Sequence, residues 1–277
     1  MRPVSSGAGS QSASMLSVAF GAVTLKLVSD DAHWLKHAGI RFGSAIGQGM
    51  SAFELWHRSN GGPLPFSGSP RSAFNEPVGI SPRDGGCRVT GATFFGDIDF
   101  GATRATVCGP SALYPAEHVI RQLLPVIYPD RGLIFHSAFV LQAGAGWLAV
   151  GQSGAGKSTL AGLAGASAVA DESNAVRYVD GQWIAESLPF ACHRPGAAPL
   201  AGILTLDPRR RGVHAMHRLG PAQAARELCR HIWWPMASAA CRREALDRLT
   251  ALVRAVPVYA LSFRPDTAVF NLLTEAA

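Results

Sequence analysis

Apolar and polar positions along the chain mark out most of its elements. Residues 15–28 (MLSVAFGAVTLKLV) alternate in part and are rich in β-formers, which predicts a strand or hairpin. Residues 30–37 fit one short helix. From about residue 44 to residue 82 glycine, serine and proline dominate, with Gly61-Gly62-Pro63 and Ser69-Pro70 as turn markers. Short strands are expected around 87–95 and 102–108. The character changes at Pro115, which suits the first position of a helix; Val119, Ile120, Leu123, Leu124 and Ile127 then form a helical apolar stripe. A buried-type strand follows over 132–141, a turn at Gly144-Ala145-Gly146, and a return strand over 147–150.

Beyond residue 160 the pattern stays mixed. A short strand over 167–170 ends in Asp171-Glu172. Residues 176–178 and 183–185 flank Asp180-Gly181, a strong hairpin turn. Residues 200–206 read as a strand, and Gly220-Pro221 opens a helix running to about residue 232. Pro235 breaks it, and a second helix over 237–255 carries Leu246, Leu249, Leu252 and Val253 on one face. A strand over 257–263 and a helix over 266–273 close the chain, and no internal repeat is present. Three regions result: a Ser/Gly-rich tail at 1–14, expected to be disordered; a small β-containing region at 15–110; and an α/β domain at 111–277.

Composition narrows the class. The hydrophobic fraction is 48% and the charged fraction 16%, which suits a globular core and argues against wholesale disorder. Five cysteines, odd in number and without C-x-x-C spacing or pairing with His, argue against a disulfide framework or a zinc site and point to a reducing cytoplasm. The formal charge is +6, yet Lys26, Lys36 and Lys157 are the only lysines, so the excess reads as a compositional preference for Arg and no nucleic-acid partner is expected. The longest like-charge run, Arg209-Arg210-Arg211, reads as an exposed turn. No apolar run reaches the length of about 18–20 residues that a spanning helix needs, so no membrane partner is expected. The apolar stretch after Met15 is broken by Lys26 and does not read as a secretion signal.

Residues Gly151-Gln152-Ser153-Gly154-Ala155-Gly156-Lys157-Ser158-Thr159 read G-x-x-x-x-G-K-[ST], the phosphate-binding loop. Its glycines let backbone N–H groups curl around a polyphosphate, Lys157 supplies a point charge, and the Ser158 hydroxyl suits Mg²⁺. The segment after it suits a helix whose positive N-terminal end adds to the anion site.

Asp171-Glu172 follows Lys157 by 14 residues. A carboxylate at a strand end beside such a loop serves as a Mg²⁺ ligand or as a catalytic base. Two adjacent carboxylates invite a division of labour, one toward metal and one toward the proton of an attacking hydroxyl. Most GTPases and mechanical ATPases place their acidic strand farther along the chain, so the short interval argues against those classes. His136 lies on the strand whose partner feeds the loop, where a neutral imidazole can support a catalytic carboxylate.

The segments FHSAFVLQAGAGWLAVGQSGAGKSTLAGL and AVADES resemble the catalytic core of the HPr kinase/phosphorylase superfamily, and more closely its shorter serine kinases found with peptide-modifying gene clusters, including lasso-peptide precursor kinases. APLAGILTLDP and VPVYALSFRPDTAVFNLL are also similar to that group, and the resemblance covers about residues 115–277. It implies an α/β, antiparallel-rich mixed sheet of the kind shared with phosphoenolpyruvate carboxykinases, not a doubly wound parallel sheet. The hairpin feeding the loop points the same way. It also implies ATP and Mg²⁺ as cofactors, a peptide or small-protein acceptor such as a lasso precursor, and a homo-oligomer. Carried over by position, Lys157 holds the transferred phosphate, Ser158 binds Mg²⁺ and His136 supports the base. The parent enzymes place the base at the second acidic position, usually Asp. Here that residue is Glu172, which leaves the base open between Asp171 and Glu172, with Asp171 also a metal candidate. Glu186 is the nearest counterpart of a further metal carboxylate, and Arg177 and Arg194 are candidate charge partners. The glycine-rich region tied to dephosphorylation in the parent enzymes is not recognisable here, so only the kinase direction is expected.

Two other readings belong to different classes: a kinase for a sugar or amino-acid hydroxyl, and a non-catalytic nucleotide sensor. Trp233-Trp234 reads as core or an oligomer contact, and His214 with His217 as a structural pair.

Overall fold

The computed structural model describes residues 13–45, 52–59, 77–130, 132–191, 194–207 and 212–276. Residues 1–12 of the expected tail, the turn markers at 61–63 and 69–70, and Arg209-Arg210-Arg211 lie outside the described residues, whereas Ser14, also expected in the tail, opens the first strand because it continues the pairing of the hairpin opposite Ser29. The protein is α/β, with helices packed on two mixed sheets.

The N-terminal sheet has the order β1-β2-β3-β7-β6-β5-β4. Its strands are β1 (Ser14–Phe20), β2 (Val23–Ser29), β3 (Phe53–Ser59), β4 (Gly79–Arg83), β5 (Gly86–Thr90), β6 (Phe95–Asp99) and β7 (Arg104–Gly109). The hairpin expected over 15–28 is β1–β2, antiparallel, with Val18, Phe20, Val23, Leu25 and Leu27 buried on one face. β3 sits inside the stretch rich in glycine, serine and proline. Its own alternation buries Phe53, Leu55 and His57. The outer face carries a cross-strand charge ladder, Lys26 to Glu54 at 3.0 Å and Arg104 to Glu54 at 3.5 Å.

Two helices cover this sheet. α1 (Ala32–Arg41) starts on Asp31, whose carboxylate accepts from the backbone N–H groups of His33 and Trp34. α2 (Tyr114–Ile127) carries Pro115 in its first turn and buries Val119, Ile120, Leu123 and Leu124. Those residues join one core with Val89, Ile98 and Val107 of the N-terminal sheet and with Ile134, Leu188 and Phe190 farther along. α2 therefore packs on both halves of the chain.

The second sheet contains β8 (Leu133–Gln142), β9 (Ala145–Val150), β10 (Ala168–Ala170), β11 (Ser173–Val179), β12 (Gln182–Ser187), β13 (Ala197–Leu206), β14 (Ala215–Arg218) and β15 (Val258–Ser262). Among the described residues its pairings are antiparallel except β13–β9 and β13–β15. The antiparallel-rich reading of the sequence is what the fold shows. β8 and β13 each change partner along their length. β8 pairs with β11 over Leu133–His136 and with β9 over Ser137–Gln142; β13 pairs with β12 near Ala198 and with β9 from Leu200. α3 (Lys157–Ala164) and α6 (Val269–Ala276) share one core with β9. α4 (Pro221–Leu228) and α5 (Ala239–Ala255) share another with β8 and β13.

Register fixes where the chemistry collects. Val150, the last residue of β9, stands opposite Ser137 of β8 and Thr205 of β13. On the far side of β8, Ser137 gives its N–H to the Glu172 carbonyl at 3.1 Å, and Ser173 stands opposite His136. β10 and β11 are thus one line running antiparallel to β8, interrupted at Asp171-Glu172. The phosphate loop, His136, the acidic pair and the end of β13 all lie at one level across four adjacent strand lines. No helix among the described residues is long and apolar enough to cross a membrane.

Candidate functional site

The loop at 151–159 leads from β9 into α3. Gly156 caps the helix at φ 110°, a conformation costly for any residue with a Cβ, and an added Cβ would stand 3.3 Å from the Phe263 ring. Gly151 is required for closeness instead: its Cβ would meet the Leu206 carbonyl at 3.1 Å and the Ala155 methyl at 2.8 Å. The loop leaves the sheet at Gly151 because another segment takes the place beside β8. The His136 N–H donates to the His231 carbonyl at 2.8 Å, and Trp233 N–H to the Ile134 carbonyl at 2.8 Å.

The sequence-expected site residues come together. His136, Ser153, Gly154, Ala155, Gly156, Lys157, Ser158, Thr159, Asp171 and Glu172 all line one cleft of about 790 Å³. Gly151 and Gln152 line a neighbouring cleft of about 350 Å³ on the other side of the loop. Lys157 is 7% exposed, and its Nζ donates to the Gly151 carbonyl at 2.7 Å and the Gln152 carbonyl at 3.2 Å. Burial lowers its pKa. Burial and then the Lys157 cation lower the pKa of His136 and so favour the neutral imidazole, while Glu172 pulls the other way.

Glu172 is held by two arginines. Glu172 Oε1 accepts from Arg121 Nη2 at 2.7 Å, and its Oε2 faces Arg41 Nη2 at 3.5 Å. Arg41 also binds Glu117 through Nε at 2.9 Å. Glu117 is 1% exposed, and burial raises its pKa despite that guanidinium. Arg121 lies over Trp233 at 4.8 Å and Phe190 at 5.6 Å, a cation set against two rings that themselves meet edge to face. Glu172 is therefore fixed from α1 and from α2, while Asp171 lines the cleft with its backbone N–H 3.4 Å from the Ala191 carbonyl. Arg121→Ala is expected to lower the unfolding free energy by about 1–3 kcal/mol, since it removes a charged hydrogen bond and the aromatic stack together. Urea titration of the two proteins measures this.

Other expected partners stand elsewhere. Glu186 accepts from Tyr128 Oη at 2.5 Å and Arg177 Nε at 3.0 Å, and Arg177 reaches on to Asp130 at 2.9 Å; none of these four lines the cleft. Arg194 does not line it either. His214 Nε2 pairs with Asp266 Oδ1 at 2.8 Å, while His217 lines the smaller cleft. The residues that sequence reasoning missed are Arg41, Arg121, His231, Asp207 and Arg264. Arg41 and Arg121 lie 131 and 51 residues from Glu172, and no local pattern marks them. Asp207 had a signal, an apolar run ending in Asp-Pro.

His231 sets a pH dependence. Burial, then the Lys157 cation and His136, push its pKa down to about 4 from 6.5. Across that window the unfolded chain binds a proton that the folded protein refuses, so stability falls as pH drops from about 6.5 toward 4. Discounted for its partial exposure, the loss is on the order of 1 kcal/mol. His231→Gln should show a smaller fall than wild type in urea midpoints measured across this range.

No protein-family model matches the chain. No curated protein matches it either. Among solved structures the fold is similar to that of the Hpr(Ser) kinase/phosphatase from Coxiella burnetii, at 11% identity and a TM-score of 0.32, covering 51% of this chain and 94% of that one.

Proposed function

We propose that the protein is an ATP-dependent kinase that transfers the γ-phosphoryl group to a serine hydroxyl on a peptide or small protein. One observation carries this reading: His136, the Asp171–Glu172 turn and the phosphate loop from Ser153 onward line a single cleft because they stand at one level across adjacent strand lines. A loop alone would serve any nucleotide-binding protein. A carboxylate and a neutral imidazole across the cleft from it suit an enzyme that must take a proton from an attacking hydroxyl.

The loop N–H groups and the start of α3 bind the β- and γ-phosphates, and Lys157 exchanges its carbonyl partners for phosphate oxygens. Asp171 accepts the acceptor's hydroxyl proton. The acceptor oxygen forms the new bond to γ-phosphorus as the bond to the β–γ bridging oxygen breaks, and the electron pair leaves with ADP. Glu172, gripped by Arg121 and Arg41, fixes the turn that presents Asp171, and the His136 imidazole, its pKa lowered by burial and the Lys157 cation, lines the same cleft. The donors beside the loop are a hydroxyl and carboxylates, hard oxygen ligands that suit Mg²⁺. Ser158 and one strand-end carboxylate would hold it. When bound, it offsets charge on the phosphates.

The acceptor class follows from the lasso-precursor-like resemblance of residues 115–277. Purified protein with Mg-ATP, offered its co-encoded peptides beside a panel of sugars and amino acids, tests it. Phosphoserine in a peptide supports the reading. Turnover of a small molecule alone replaces the acceptor, and nucleotide binding with no transfer at all removes the enzyme.

A further inference from the structure

The strands that bracket the loop bring carboxylates from both flanks, and only one flank figured in the sequence motifs. β13 runs parallel to β9, and Thr205 stands opposite Val150. The next residue, Leu206, is so close that its carbonyl would lie 3.1 Å from a Cβ on Gly151. Asp207 comes immediately after, at the carboxyl end of β13, and lines both the large cleft and the smaller one. Asp171 and Glu172 arrive from the opposite flank, on a line running antiparallel to β8, with His136 between them and the loop strand.

We infer that Asp207, with Ser158, is the metal-binding carboxylate of the site, and that Asp171 is reserved for the proton. This rests on the nucleotide-binding reading above. In open sheets, ligands gather at the carboxyl ends of parallel strands. In phosphate-loop enzymes the loop hydroxyl shares Mg²⁺ with an aspartate. β13 is the strand that lies beside β9 and points the same way, and Asp207 is the carboxylate at its end. No group of three or more His, Cys, Asp or Glu residues forms a cage among the described residues. Mg²⁺ takes one or two carboxylates and completes its octahedron with phosphate oxygens and water.

Mn²⁺ is the probe, followed by electron paramagnetic resonance as free ion is taken up by the protein with ADP. Wild type should bind Mn²⁺ in the ADP complex. Asp207→Asn should weaken that binding by about tenfold or more, while Asp171→Asn changes it less than about threefold. ADP affinity measured in EDTA should be alike in all three, which also reports an intact loop; Asp207→Ser repeats the test with a smaller side chain. Unchanged Mn²⁺ binding in both Asp207 variants, or loss in Asp171→Asn instead, overturns the assignment and leaves the nucleotide reading standing. Wild type that binds no ADP overturns both.

Discussion

Asp171→Asn should cut phosphoryl transfer by about 10²–10⁴-fold while nucleotide still binds. The size follows from what the substitution removes: asparagine keeps the shape of the side chain and loses the site that receives the hydroxyl proton. The fold should tolerate it, because the turn is held by the Asp171 backbone N–H facing the Ala191 carbonyl and by Glu172, whose carbonyl accepts from Ser137. Glu172→Gln is the informative contrast. Its side chain is engaged by Arg121 and Arg41, so the amide should weaken those contacts and slow transfer by less than Asp171→Asn. The reverse order would move the base to Glu172. Initial rates of ADP release and acceptor phosphorylation, with nucleotide affinity measured alongside, separate the two outcomes.

Lys157→Ala should weaken ATP binding by about a hundredfold, equivalent to ~2.7 kcal/mol. The amine is almost buried, and in this structure its hydrogen bonds go to two carbonyls of the loop itself. Burial has already lowered its pKa, so a phosphate that restores a full counter-charge is bound where solvent competes little. Arginine should not rescue the variant, because a planar fork does not fit a space shaped for a compact ammonium. Fluorescence titration with a labelled ATP analogue gives the affinity, and circular dichroism confirms that the fold survives.

Much of this was legible in the sequence because the signals are local. The hairpin feeding the loop, the return line ending in Asp171-Glu172 and the stripe of α2 each follow from side-chain period over a few residues. The glycines of the loop declare themselves because backbone geometry demands them. β3 was not legible, since seven alternating residues lie between flanks dominated by turn formers. The clamp on Glu172 was not legible either. Arg41 and Arg121 look like any surface arginine until α1 and α2 bring them to the acidic turn. Trp233 read as core, and it does pack on the core, but it also supports the Arg121 guanidinium. Glu186 and Arg177 have the right chemistry, yet Tyr128 and Asp130 claim them in another part of the sheet.

The clamp also changes how the N-terminal half is understood. Its residues carry no motif of their own, yet Arg41 from α1 meets Glu172 and the buried Glu117. Arg41 thus ties α1 to the acidic turn that lines the cleft.

The central claim is hydroxyl-directed phosphoryl transfer, and a single-turnover experiment with γ-labelled ATP and Mg²⁺ tests it most directly. The protein is in excess, with a serine-bearing co-encoded peptide as acceptor and Asp171→Asn as the paired control. The account predicts acid-stable label on a serine hydroxyl, one ADP for each phosphate transferred, and almost none of either with the variant. Label recovered only as inorganic phosphate, or bound nucleotide that is never consumed by folded wild-type protein, would contradict it.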